Sequence, residues 1–426
     1  MAFFYLDGRL KVGTPEADSK AILDVTEIAR AFDRPVYLYD LDNVRARLDT
    51  LRAAFAGSEF TVHYAMKANS NPALLERFAA WGAGVDTVSG GEIRVALDAG
   101  IQPERIIFSG VGKTVAEIEL ALVKGIKQIN VESPAELRRI ADIAARLGKT
   151  ADIAFRMNPD VNPQTHPYIT TGFRENKFGM DESFLPELKQ ILEDAGPSLR
   201  LRGLTMHIGS QLMELDSIRE ALTKTIAVFQ ALRAEGYALD RLDIGGGLGI
   251  DYASADEGPE LERVREYGRV VREELKNLKV EILLEPGRIL VGRAGILIGE
   301  VQYVKSAPAK TFAILNTGMN HLMRPALYSA RHRVLPVIDP RHTITASAPT
   351  LSPEKARPAT HHYDVVGPIC ESSDVLARDV SLPTIEQGDL LAIADAGAYG
   401  FSMASRYNLH EMPAEVLVAD GKILKS

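Results

Sequence analysis

The 426-residue chain is poor in the features that would send it to a membrane, a nucleic acid or an oxidising compartment. It has a single cysteine, Cys370, so no intrachain disulfide can form. That fits a reducing cytoplasm, where the chain is expected to work. Basic charge is not in excess: 49 Lys and Arg stand against 57 Asp and Glu, with a net charge of −8. Nucleic acid and anionic membrane are therefore not expected partners, although a local basic pocket for a small anion is compatible with this balance. No run approaches the roughly 18 apolar residues of a membrane span. The opening "MAFFYLDGRLKVG" has no basic leader and no long apolar stretch, so no signal peptide is expected. Clusters of His, Cys and Asp with metal-ligand spacing are also missing, and no metal is expected.

What is present is an alternation. Eight short apolar runs begin at residue 60: "FTVHYAMK" (60–67), "GVDTVS" (84–89), "RIIFSG" (105–110), "QINVES" (128–133), "ADIAFRMN" (151–158), "LRGLTMHIG" (201–209), "LDIGGG" (242–247) and "EILLEPG" (281–287). Helical patterns lie between them. "NPALLERFAAWG" carries Pro72 at its start and Gly82 at its end. "SPAELRRIADIAARLG" opens on Ser133, Pro134 and Glu136, a capping-box pattern, and closes on Gly148. "SIREALTKTIAVFQALRAEG" is amphipathic and again ends in glycine. Near-continuous apolar strands separated by helices indicate a parallel sheet covered on both faces. Eight such units favour a closed (β/α)8 TIM-type barrel over a doubly wound open sheet.

The texture changes after residue 294. "GILIGEVQYVKS", "TFAILNTG", "YDVVGP", "DLLAIADAG" and "EVLVADG" are short, turn-bounded runs with few helices between them, as in an all-β domain. The opening "FFYLDGRLKVG" reads as a hairpin around Asp7-Gly8 that joins that domain. The expected division is a barrel over 38–293 and a β domain from 1–37 and 294–426. Residues 336–360, rich in Pro, Ser, Thr and Ala, read as a mobile excursion.

The distinctive polar residues fall at the C-terminal ends of the eight runs, the face on which barrel enzymes build their sites. These are Lys67, Asp86 and Ser89, Glu132, Arg156 and Asn158, His207 and Ser210, Gly245, Gly246 and Gly247, and Glu285 with Arg288. A lysine at the end of a buried strand either pairs with a carboxylate or phosphate, or serves as a nucleophilic amine towards a carbonyl. Burial favours the free amine that a Schiff base needs. "GGGLG" offers bare backbone N–H groups to a phosphate, but glycine clusters at strand ends are often only tight turns. His207 in "MHIGSQ" has structural as well as catalytic uses. Glu285 in "LLEPGR" needs a cationic partner, either Arg288 or a cationic ring nitrogen.

Taken in order, "YAMKAN", "GVDTVSGGE", "NPD", "KFG", "HIGSQ", "DIGGGLG", "EPGR", "RPALY", "VVGPICESSD" and "ADAGAYGFSM" resemble the fold type III pyridoxal phosphate decarboxylases, and among them the diaminopimelate decarboxylases. The likeness implies an alanine-racemase-like barrel with a C-terminal β domain. It implies pyridoxal 5'-phosphate as cofactor and decarboxylation of meso-2,6-diaminopimelate to L-lysine, the last step of lysine biosynthesis.

The resemblance also assigns roles. Lys67 carries the cofactor as a Schiff base, His207 stacks on its ring, and Glu285 keeps its pyridine nitrogen protonated. Ser210, Gly245, Gly246, Gly247, Gly287 and Tyr399 lie at the cofactor, most of them near its phosphate. Asp86 sits nearby in a less defined role. Arg288, Arg324 and Tyr328 hold carboxylates of the amino-acid substrate. Cys370 and Glu371 are expected to reach the site of a partner subunit in a homodimer, the thiol as proton donor and the carboxylate against the substrate's distal amino group. The other basic amino acids, ornithine, lysine and arginine, lack the distal carboxylate that these arginines would hold. An amino-acid racemase, a cofactor carrier and a phosphate-binding barrel with Lys67 as a plain charge are the remaining alternatives.

Overall fold

The computed structural model describes residues 2–14, 22–161, 177–342 and 360–424. Two compact units emerge: a barrel unit of Asp49–Ile250 with Gly258–Ile289, and a β unit of Met1–Leu48, Asp251–Glu257 and Leu290–Ser426.

All eight apolar runs become strands of one closed parallel barrel: Phe60–Ala65, Gly84–Thr87, Ile106–Phe108, Gln128–Val131, Ala151–Met157, Leu199–Met206, Arg241–Asp243 and Glu281–Leu284. The last strand closes on the first through the register Ile282↔Phe60, Leu283↔Thr61 and Leu284↔Val62. Several of these strands are buried at every position, which explains their apolar runs without polar alternation. The open-sheet alternative is excluded by this closure.

The helices start and stop where their chemistry directs. Helix Pro72–Ala80 is capped by the Asn71 side chain, which accepts from the backbone N–H of Ala73 at 3.0 Å. Helix Pro134–Leu147 is capped by Ser133 and ends at Gly148, φ 60°. The reciprocal half of the expected capping box is replaced. The Glu136 carboxylate instead accepts from the Glu132 N–H and from Lys113 Nζ, both at 2.7 Å. A complete capping box forms one unit earlier, between Thr114 and Glu117.

The β unit is built on Gly295–Ser306, a 12-residue strand. Its first half pairs with Val36–Asp40 on one side and Leu390–Ile393 on the other; its second half pairs with Thr311–Leu315. Thr360–Val366 and Val375–Pro383 extend that end, and Ala414–Ala419 runs parallel beside Val36–Asp40. Val36, Leu38, Ile296, Ile298, Ala392, Val416 and Val418 form its core. The opening hairpin is present, with Leu6 opposite Arg9 and both Asp7 and Gly8 at positive φ, as a tight two-residue turn demands. The start of the expected excursion is packed rather than loose: Pro336 ends a strand and Val337 is fully buried in the same core. Residues 343–359 of it lie outside the described residues. No helix among the described residues is long and apolar enough to cross a membrane.

Candidate active site

The first barrel strand ends at Ala65, and Lys67 sits in the single 3-10 turn Met66–Ala68 that follows. Its Nζ lies 3.2 Å from Asp86 Oδ2, on a carboxylate whose side chain is wholly buried in the second strand. The other oxygen, Asp86 Oδ1, is buried with no hydrogen-bond partner among the described residues. The turn is packed against the neighbouring end of the eighth strand: a Cβ on Gly287 would stand 3.2 Å from Ala68 Cβ and 3.3 Å from Ala65 Cβ.

Beneath this lysine the barrel holds an acidic group. Glu285, at the end of the eighth strand, and Asp243, in the seventh, are both buried. Asn130 Nδ2 stands between them, 3.4 Å from Asp243 Oδ2 and 3.5 Å from Glu285 Oε1, and donates to Ser109 Oγ at 3.1 Å. Asp243 Oδ1 accepts from the Gly245 N–H at 2.9 Å. Burial, then the carboxylates of Asp243 and Asp86, raise Glu285 well above the usual carboxylate range; the Lys67 ammonium opposes this. Burial likewise raises Asp243 to about 6. Three inward carboxylates facing one lysine form a site short of positive charge, which a protonated pyridine ring complements.

The seventh strand leads into Gly245–Gly247, where side chains are excluded. A Cβ on Gly246 would lie 2.0 Å from the Glu285 carbonyl oxygen; one on Gly247, at φ 108°, would lie 2.2 Å from the Gly209 carbonyl oxygen. Leu212 N–H donates to the Gly247 carbonyl at 2.9 Å, locking this loop to the one that carries Ser210. Arg288 Nη2 donates to Ser210 Oγ at 3.1 Å. His207 Nδ1 accepts from the Gly246 N–H at 3.4 Å. Burial, then the Arg156 and Lys67 charges, push this imidazole well below its ordinary range, so it presents a neutral ring. Arg156 and Glu132 form a buried pair at 2.6 Å, and Glu132 Oε2 accepts from the Gly179 N–H at 2.8 Å. That bond ties the "KFG" segment to the fourth strand. The barrel unit thus brings together a lysine amine of the kind that forms a Schiff base, a neutral imidazole, a buried carboxylate and a glycine loop of the kind that suits a phosphate. These groups fit pyridoxal phosphate.

The remaining expected residues belong to the β unit. Arg324 opens the helix Arg324–Tyr328 and is buried; its guanidinium carbon lies 4.3 Å over the Tyr252 ring, and Nη1 is 2.7 Å from His332 Nε2. Tyr328 closes that helix half-buried. Tyr399 adopts φ 56°, a strained backbone for a tyrosine. Cys370 and Glu371 are exposed on a turn. The Glu371 carboxylate accepts from Tyr407 Oη and, at 3.1 Å, from Ser373 Oγ. Asp374, buried, organises that turn by accepting from the Met319 N–H at 2.6 Å and the Ile369 N–H at 2.7 Å. Asp243, Asn130, Tyr252, His332 and Asp374 were not among the residues expected from sequence. Asp243 and Asp374 sit inside quoted motifs, "DIGGGLG" and "VVGPICESSD", the one signal that could have found them.

The comparisons with known proteins agree with this geometry. Residues 41–292 match the family model described as pyridoxal-dependent decarboxylase, pyridoxal binding domain. The chain is 41% identical over 404 residues to a diaminopimelate decarboxylase of Aquifex aeolicus, covering 94% of this chain and 90% of that protein. It is 43% identical over 392 residues to the enzyme of that name from Neisseria meningitidis serogroup A, covering 92% and 91%. Among solved structures, diaminopimelate decarboxylase from Helicobacter pylori complexed with L-lysine superposes with a TM-score of 0.84 at 40% identity, covering 94% of this chain and 95% of that one. With the barrel, its strand-end lysine and the glycine loop in place, the chain belongs to the diaminopimelate decarboxylase family of pyridoxal-dependent decarboxylases.

Proposed function

We propose that this protein removes carbon dioxide from meso-2,6-diaminopimelate at its D-centre and releases L-lysine. The observation that carries this reading is the buried carboxylate Glu285, set among Asp243, Asp86 and Lys67 at the C-terminal end of the barrel strands. When bound, pyridoxal phosphate supplies an electron sink for the pair left behind by the departing carboxylate.

The chain's own groups do the rest. Lys67 would hold the cofactor through its amine, beside the Asp86 carboxylate. Glu285 keeps a proton on the ring nitrogen, and its burial makes that charge pairing strong. His207, neutral, covers the ring face. Ser210, Gly245, Gly246, Gly247 and Tyr399 hold the phosphate. Arg288, Arg324 and Tyr328 bind the carboxylates, and the requirement for a distal carboxylate separates diaminopimelate from ornithine, lysine and arginine. Glu371 meets the distal ammonium, and the Cys370 thiol delivers a proton to the α-carbon. Both residues lie on an exposed turn of the β unit, which supports a homodimer in which each chain completes its partner's site.

The test is carbon dioxide release by the cofactor-loaded protein from meso-diaminopimelate, L-lysine, D-lysine, L-ornithine and L-arginine. Release from meso-diaminopimelate alone, with L-lysine as product, is expected. Release from another amino acid would remove the substrate assignment and the roles of Arg324 and Tyr328. No release from any of the five would remove the activity.

A further inference from the structure

Arg324 is held in a frame that the expected site residues do not include. Its Nη1 lies 2.7 Å from His332 Nε2, and His332 Nδ1 lies 2.8 Å from the Ala394 carbonyl oxygen. A guanidinium only donates and a carbonyl only accepts. The ring is therefore the Nδ1–H tautomer, with Nε2 left as an acceptor pointed at the arginine. On another side the Arg324 guanidinium lies against the Tyr252 ring, and that ring meets His332 edge-on at 5.0 Å and 67°.

The frame is itself braced. Arg293, with a side chain 1% exposed, donates to the carbonyls of Asp251 and Ser254, both at 2.6 Å, fixing the segment that carries Tyr252. The same guanidinium pairs with Asp395 at 3.2 Å, and Arg333 pairs with Asp395 at 3.0 Å. Asp395 adjoins Ala394, whose N–H donates to the Arg333 carbonyl at 2.9 Å. Both ends of the Tyr252–Arg324–His332 stack are thereby anchored on one buried ion pair.

We propose that His332 is a positioning residue for substrate recognition. As a tautomer-locked acceptor, with Tyr252 covering the guanidinium face, it fixes one edge of Arg324, the residue read as gripping the substrate's distal carboxylate. A long arginine loses much side-chain freedom on gripping a carboxylate; a partner that orders it beforehand removes that cost. The proposal rests on the reading of Arg324 as the carboxylate-binding arginine.

Two inhibitors of the holoenzyme separate the claims. L-lysine keeps the distal carboxylate and cadaverine lacks it. H332F is expected to raise the inhibition constant of L-lysine and the KM for meso-diaminopimelate about tenfold, the effect of one lost charge-assisted hydrogen bond. Cadaverine inhibition and cofactor content should stay within about twofold. H332Q, which restores an acceptor near the Nε2 position, should recover most of the loss. If H332F does not fold, H332N reads the same two constants. A parallel rise for L-lysine and cadaverine would reduce His332 to a structural role and overturn the proposal. So would unchanged L-lysine inhibition in the His332 variants alongside a loss in R324K, an outcome that leaves the Arg324 reading intact. Unchanged L-lysine inhibition in R324K itself would remove that reading and this inference together.

Discussion

The carboxylate of Asp374 accepts the backbone N–H of Met319 at 2.6 Å, across 55 positions of sequence. With its other oxygen on Ile369 N–H, it sets the conformation of the turn that bears Cys370 and Glu371. Glycines at 318 and 367 make room: a Cβ on either would come within 2.6 Å of this carboxylate. Replacing Asp374 with alanine frees two N–H groups, that of Ile369 buried and that of Met319 partly so, at about 2 kcal/mol of stability in the β unit. It should lower kcat by roughly 10- to 100-fold through a misplaced turn. Steady-state kinetics and thermal unfolding of D374A check both, and D374N, which keeps an acceptor, should fall between.

Glycine at 246 is dictated by the Glu285 carbonyl oxygen, 2.0 Å from where a Cβ would stand. Gly246→Ala must push that loop or the eighth strand aside. Cofactor affinity is expected to fall by about 100-fold or more. Absorbance titration of the cofactor-free variant with pyridoxal phosphate measures this.

Glu285→Gln tests charge rather than shape. The amide fills the same space beside Asp243 and Asn130 but no longer pairs with a cationic ring nitrogen. Cofactor retention is expected, with kcat lowered by roughly 100- to 1,000-fold and KM changed by less than about threefold. A variant with near-normal kcat would remove Glu285 from its role.

His63 provides a pH signature in the barrel unit. Burial, then the Lys127 charge, push its imidazole down to about 3, while Nδ1 lies 3.0 Å from the Arg105 carbonyl oxygen. The unfolded chain takes up a proton below pH 6.5 that the folded ring refuses. The stabilisation is thus complete above pH 6.5 and is lost progressively as pH falls towards 3. Between pH 6.5 and 5 this amounts to about 2 kcal/mol. In His63→Gln the slope should be shallower by one proton. The sole tryptophan, Trp81, lies in the barrel unit, so its fluorescence during urea unfolding reads that unit alone.

How far the sequence could be read depended on the distance between partners. Each barrel strand announces itself, because a strand buried on both faces must be apolar throughout, and Lys67, His207 and Glu285 stand out as polar residues at the ends of such runs. Val375–Pro383 was not anticipated because half of it faces solvent and it carries Arg378 and Asp379. Val36–Asp40 runs straight into a helix with no turn residue to mark it. Asn130 gave no signal because its meaning lies in Asp243, 113 positions on, and His332 because its carbonyl partner is 62 positions away. Side chains whose work is to hold other side chains become visible only when the fold brings those partners together.

The strand Val36–Asp40 pairs with Gly295–Ser306 on one side and with Ala414–Ala419 on the other. During synthesis the barrel unit is complete once residue 289 has emerged, whereas Val36–Asp40 must wait for nearly the whole chain before its second neighbour exists. The order of emergence therefore places barrel folding ahead of β-sheet completion, with one strand edge open in the interval. A ribosome stalled before residue 414 would display a finished cofactor-binding barrel and an unfinished sheet, the form of this protein most exposed to edge-to-edge aggregation.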